Sequence, residues 1–157
     1  MTTPAATLPA FLAGGTDHRG RTVRDILAFS DDRLETVHDY IQWLFPLPEH
    51  SAAQPSSPVL APHDIAEIRA DAFAQSNLAA ATARMLAFYR ARRDWLRPGD
   101  HNHLRITRII RSLGLLAGGA AAADFHAEIA ALTAAAGSPV AAGNVAYWNR
   151  AREEAVS

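Results

Sequence analysis

The residues with the most chemistry to offer lie between Asp100 and Leu113, in the order Asp-His-Asn-His-Leu-Arg-Ile-Thr-Arg-Ile-Ile-Arg-Ser-Leu. Two imidazoles and two arginines here surround the start of a predicted helix. Free backbone N–H groups and the positive dipole end make such a start suited to a carboxylate, phosphate or sulfate. Asp100 opposes that charge. The competing reading is a capped helix with a solvated basic face and internal partners such as Glu35 or Asp39, and it carries more weight.

Other chemistries are weaker. His101 and His103 stand two apart, roughly 200° around a helix, so they cannot bind one metal together. Either could join His38 with Glu35 or Asp39, a minor reading. The letters His101-Asn102-His103 do not make an HNH nuclease, which needs a ββα-metal unit, and the chain shows no strand pattern. His38 with Asp39 or Glu35 offers general acid–base groups, yet no G-x-S-x-G, phosphate-cradling loop or H-E-x-x-H accompanies them. No catalytic residue, metal ligand or cofactor is assigned. Tyr40, Trp43 and Phe45 invite a recognition role, with core packing the stronger reading for Trp43 and Phe45.

Helices must position these groups. Thr22 caps a short one containing Val23, Ile26 and Leu27, and Ser30 caps a second whose stripe is Leu34, Val37, Ile41, Leu44 and Phe45. The first twenty residues read as a flexible lead-in. Pro46 to Pro62 holds five prolines and three serines, which predicts an ordered, partly extended crossover, long enough to draw attention. A helix from Pro62, another with Leu78, Thr82, Met85, Leu86 and Tyr89, and a break at Pro98-Gly99 follow.

Asp100 caps the fifth helix, with Ile106, Ile109, Ile110 and Leu113 inward and His101, Arg105, Arg108 and Ser112 on a polar side. An alanine-rich sixth runs from Ala120 to Ala136. A seventh begins at Ser138-Pro139, with fraying beyond Arg152. The chain reads as an all-α single domain of about six to seven helices over 21–152.

Composition narrows the partners. The 157 residues contain no cysteine, which excludes disulfides, thiolate catalysis and cysteine zinc sites and is compatible with a reducing cytoplasm. Fifteen basic and sixteen acidic residues give a net charge of −1, which disfavours general binding to nucleic acid or anionic lipid. All the cations are arginine, so lysine chemistry is absent while bidentate donors for anions abound. The N-terminus does not read as a signal peptide, and Leu113 to Ala123 falls short of the roughly 20 residues a bilayer crossing needs.

The block His38-Asp-Tyr-Ile-Gln-Trp-Leu-Phe-Pro46 and the block His101-Asn-His-Leu-Arg-Ile-Thr-Arg-Ile-Ile-Arg-Ser-Leu113 together resemble the conserved domain of opioid growth factor receptors. Leu34-Glu35 and Met85-Leu-Ala-Phe-Tyr89 add to it, over about Arg21 to Leu116. The resemblance implies a receptor for a short peptide, Met-enkephalin in animal members, with nuclear or perinuclear membrane association. It is closest to a short, domain-only, bacterial type, lacking the long repetitive C-terminal region and carrying Arg90 where glycine is common.

The resulting expectation is a helical module that binds a short peptide or small anion. His38, Tyr40, Gln42 and Trp43 would form one wall, and His101, His103, Arg105 and Arg108 the other, with the arginines gripping a carboxylate. Tyr40 and Gln42 are the members expected to line the groove. The alternatives are a small enzyme with a His38-centred acid–base or metal site, and a nucleic-acid-associated protein using Arg105, Arg108 and Arg111. The expected location is cytoplasmic, with peripheral membrane association allowed by the resemblance.

Overall fold

A computed structural model describes residues 6–155, which form nine α-helices and no strand. The all-α class is thus as predicted. The helices are α1 Leu8–Leu12, α2 Val23–Leu27, α3 Asp31–Thr36, α4 Ile41–Leu44, α5 Pro62–Ala70, α6 Ala72–Ala91, α7 His101–Leu116, α8 Gly119–Ala135 and α9 Ala142–Glu154. None among the described residues is long and apolar enough to cross a membrane. Their packing defines two compact units, one up to Ala81 and one from Thr82.

The first unit begins with a helix where the sequence predicts a flexible segment. Thr7 caps α1 by accepting the Ala10 N–H, and Leu8, Phe11 and Leu12 are buried. Burying each large apolar side chain is worth about 1.5–3 kcal/mol, enough to hold a five-residue helix that would not persist alone. The helix ends in a Schellman motif: Gly14 N–H donates to Phe11 O, Gly15 N–H to Ala10 O, and Gly14 has φ +117°. Asn77 Nδ2, in the first half of α6, donates to Leu12 O at 2.6 Å and ties down the same end. Residues 1–5 of the expected lead-in lie outside the described residues.

The predicted second helix is two helices. Ser30 caps α3 as expected, accepting the Arg33 N–H, but Val37 is extended (ψ 129°) and α4 restarts only at Ile41. The apolar period survives the break, because Leu34, Ile41, Leu44 and Phe45 are all buried. Tyr40 explains how: its hydroxyl donates to Leu34 O at 2.6 Å, folding the linker back over α3. The crossover after α4 has buried leucines at both ends, and Leu60 N–H donates to Leu47 O at 2.9 Å. Pro62 then opens α5.

In the second unit α7, α8 and α9 pack on one another, with Ile106, Ile109, Ile110, Leu113, Phe125, Ile129 and Trp148 buried. Asp100 caps α7 by accepting the Asn102 N–H. Gly114 lets α9 approach: a Cβ there would lie 2.5 Å from Ala155 Cβ. The last helix starts at Ala142 rather than Ser138, since Gly137 and Ser138 both take positive φ to close α8. It continues through Glu154, past the predicted fraying point, and positions 156 and 157 lie outside the described residues.

Candidate functional site

The site is built on Asp17. Just after α1, this buried carboxylate accepts the N–H groups of Arg19 (2.9 Å) and Arg21 (3.0 Å) on one oxygen and Arg21 Nε (2.7 Å) on the other. Gly20, with φ +74°, supplies the left-handed step that closes the turn. Arg21 is thereby aimed at Asp39: Nη1 donates to Oδ1 at 3.0 Å and Nη2 to the backbone carbonyl at 3.3 Å. Arg19 Nε and His18 Nε2 meet the other carboxylate oxygen, Oδ2.

Burial alone would raise the Asp39 pKa. The hydrogen bond from Arg21 and the charges of Arg21, Arg19 and His18 outweigh it and hold the carboxyl below its ordinary range, so Asp39 is ionised at neutral pH. The His18 ring also stacks on Trp43, centroids 5.5 Å apart and planes 7° from parallel. Trp43 meets Phe11 edge-on at 5.5 Å, which anchors the loop to α1.

These residues border a cleft of about 580 Å³ lined by Arg19, Arg21, Arg33, Val37, His38, Asp39 and Gln54. Arg33 reaches it from α3, its guanidinium 4.3 Å from the Phe29 ring centroid. No carboxylate among the described residues pairs with Arg33. The three guanidiniums against the carboxylates of Asp39 and Asp17 leave one excess positive charge among these five groups. A guanidinium over an aromatic ring keeps N–H donors for another acceptor.

Of the four residues predicted for the first wall, His38 alone lines this cleft. Tyr40 does not face a groove. It is fully buried, with its hydroxyl on Leu34 and its ring against Phe29, because the break between α3 and α4 turns it inward. Gln42 is buried too, its Nε2 on His38 O and its Oε1 without a hydrogen-bond partner. Trp43 is 6% exposed and packs as described.

The second predicted wall lies in the second unit. His101 and His103 point apart as expected, one exposed and one buried. His103 is a structural hub: Nε2 meets Trp95 O at 2.8 Å and Nδ1 meets Asn144 Nδ2 at 3.1 Å, while Trp148 Nε1 donates to His103 O. The Asn144 amide also donates to Pro98 O, so Nδ1 is the acceptor and Nε2 carries the proton. Arg105 is 6% exposed and Arg108 half-buried, so the supposed polar side of α7 is partly interior.

Sequence reasoning missed Asp17, His18, Arg19, Arg21, Arg33 and Gln54. The run Asp17-His-Arg-Gly-Arg21, an acid followed by basic residues around a glycine, was the local signal for the turn. The pairing of Arg21 with Asp39, eighteen residues on, left no trace in local periodicity.

Fold and cleft together define an all-helical chain with an arginine-lined cleft. Residues 22–94 match the model of the opioid growth factor receptor conserved region. Arg33, His38, Asp39 and Gln54 lie inside the match, Arg19 and Arg21 just before it, and the block at 101–113 beyond it. The human opioid growth factor receptor is 35% identical over 103 residues, 54% of this chain and 15% of its own length. The rat receptor is 34% identical over 118 residues, 62% of this chain and 20% of its own, and the mouse receptor is also 34% identical. The chain therefore spans a fifth or less of these relatives' lengths. No solved structure matches.

Proposed function

We propose that this chain is a binding module of the opioid growth factor receptor class that takes the carboxylate of a short peptide in the cleft between the Asp17–Arg21 loop and α3. The carrying observation is Arg33, a cation at the cleft with no carboxylate partner among the described residues. The guanidinium would hold the ligand carboxylate in a bidentate pair, a geometry that arginine favours. His38 and Gln54 would supply further polar contacts along the same wall. The curated relatives bear the name of receptors for an opioid growth factor, which supports a peptide as the ligand class. In this reading Arg33 takes the carboxylate role first given to Arg105 and Arg108. Absence of cysteine suits a cytoplasmic setting.

Calorimetry with Met-enkephalin and a library of short peptides, each as the free acid and the C-terminal amide, tests the proposal. Binding of the acid should weaken at least about tenfold on amidation and on Arg33→Ala, as expected for loss of a charge-assisted bond. Equal affinity for acid and amide in both proteins would overturn it.

A further inference from the structure

We infer that Asp39 is the specificity-determining residue of this cleft and restricts it to singly charged anions, an inference that rests on the anion-binding reading above. Both Asp39 carboxylate oxygens are engaged, Oδ1 by Arg21 and Oδ2 by Arg19 and His18. Two of the three guanidiniums at the cleft are thus occupied by the protein's own carboxylate. Arg21 cannot swing to a ligand cheaply. Its Nε is fixed by Asp17, which also holds the backbone N–H of residues 19 and 21.

Of these three guanidiniums, that of Arg33 is left without a carboxylate partner among the described residues, and it supplies the one excess positive charge. A carboxylate monoanion neutralises that excess. A dianion leaves one negative charge beside Asp39, and like charges at such range repel. Substituting asparagine keeps the shape and an acceptor for Arg21 Nη1 while removing the resident charge. The excess then rises to two, and Arg19 becomes available to a second anionic oxygen.

The test is an NMR titration of the full chain with sodium acetate and with sodium sulfate at matched ionic strength, following the arginine Nε–H resonances in wild type, Asp39→Asn and Arg33→Ala. Wild type should bind acetate in an Arg33-dependent manner, with sulfate no more than about threefold tighter. In Asp39→Asn the sulfate-to-acetate preference should rise at least about tenfold. Sulfate already about tenfold tighter than acetate in wild type, or an unchanged preference in a folded Asp39→Asn, would overturn the inference but leave the cleft an anion site. If Asp39→Asn does not fold, the wild-type preference decides. No Arg33-dependent response to either anion would overturn the anion-binding reading and this inference with it.

Discussion

The Arg33 guanidinium carbon sits over Phe29, 4.3 Å from the ring centroid, and Phe29 in turn meets Tyr40 edge-on at 6.1 Å. A surface cation on a six-residue helix is thereby fixed in direction without an ion pair. Removing Phe29 should therefore act on binding through Arg33. Phe29→Ala is expected to weaken peptide-acid binding about three- to tenfold, consistent with loss of a cation–π contact worth roughly 0.5–1 kcal/mol and of ordering. In a double-mutant cycle with Arg33→Ala the two effects should not add, and additive losses would place Phe29 outside the site.

His103 should be required for stability of the second unit. Its ring is buried between Trp95 O and Asn144, and its carbonyl accepts from Trp148. His103→Ala is expected to cost about 2–4 kcal/mol in urea unfolding, combining a cavity with the loss of buried hydrogen bonds. A loss under about 0.5 kcal/mol would contradict the hub role.

Asp100 should contribute an acid-sensitive part of stability. Burial alone would raise its pKa, but the Asn102 N–H and side-chain bonds, the Arg97 bond and the His101 charge outweigh this and lower it. With the folded pKa below the unfolded one, the contribution is complete above the unfolded value of about 3.9 and fades as pH falls through the folded one. Asp100→Ala should lose about 1 kcal/mol at pH 7 as the α7 cap is removed. The deficit should shrink below about pH 4, as measured by urea unfolding across pH. A deficit constant from pH 7 to 3 would count against it.

Gly14 should resist substitution although nothing lies within 4 Å of a Cβ there. Its φ of +117° is outside the range that L residues adopt readily, so the penalty comes from the backbone. Gly14→Ala is expected to destabilise by at least about 1 kcal/mol in thermal unfolding. Gly20→Ala, at φ +74° nearer the left-handed well, should cost less. The reverse order would show that strain at α1 is not what limits the loop.

The caps were legible because capping is local: Thr22, Ser30 and Asp100 each accept the backbone N–H that their positions foretell. The stripe from Leu34 to Phe45 was legible as apolar but not as two helices. A period of 3.6 persists across a kink when the intervening residues fold back, as Tyr40 does onto Leu34. Helix α1 carried local signals in Thr7, Pro9 and the Gly14-Gly15 pair, but the first twenty residues read as a flexible lead-in. The cleft was the least legible part, since Asp17, Arg21 and Asp39 are brought together by a turn and a long-range ion pair rather than by one helical face.

The single backbone bond from Leu60 to Leu47 makes the crossover a closed loop with its ends already joined. Lengthening such a loop costs little, only about 0.6 kcal/mol per doubling. Gln54, which borders the cleft, sits on that loop and not on a helix. Insertions and replacements between the two leucines can therefore reshape one rim of the cleft while the arginines opposite stay in register. Diversification among homologous modules has its cheapest route there, through a segment whose sequence the core does not police.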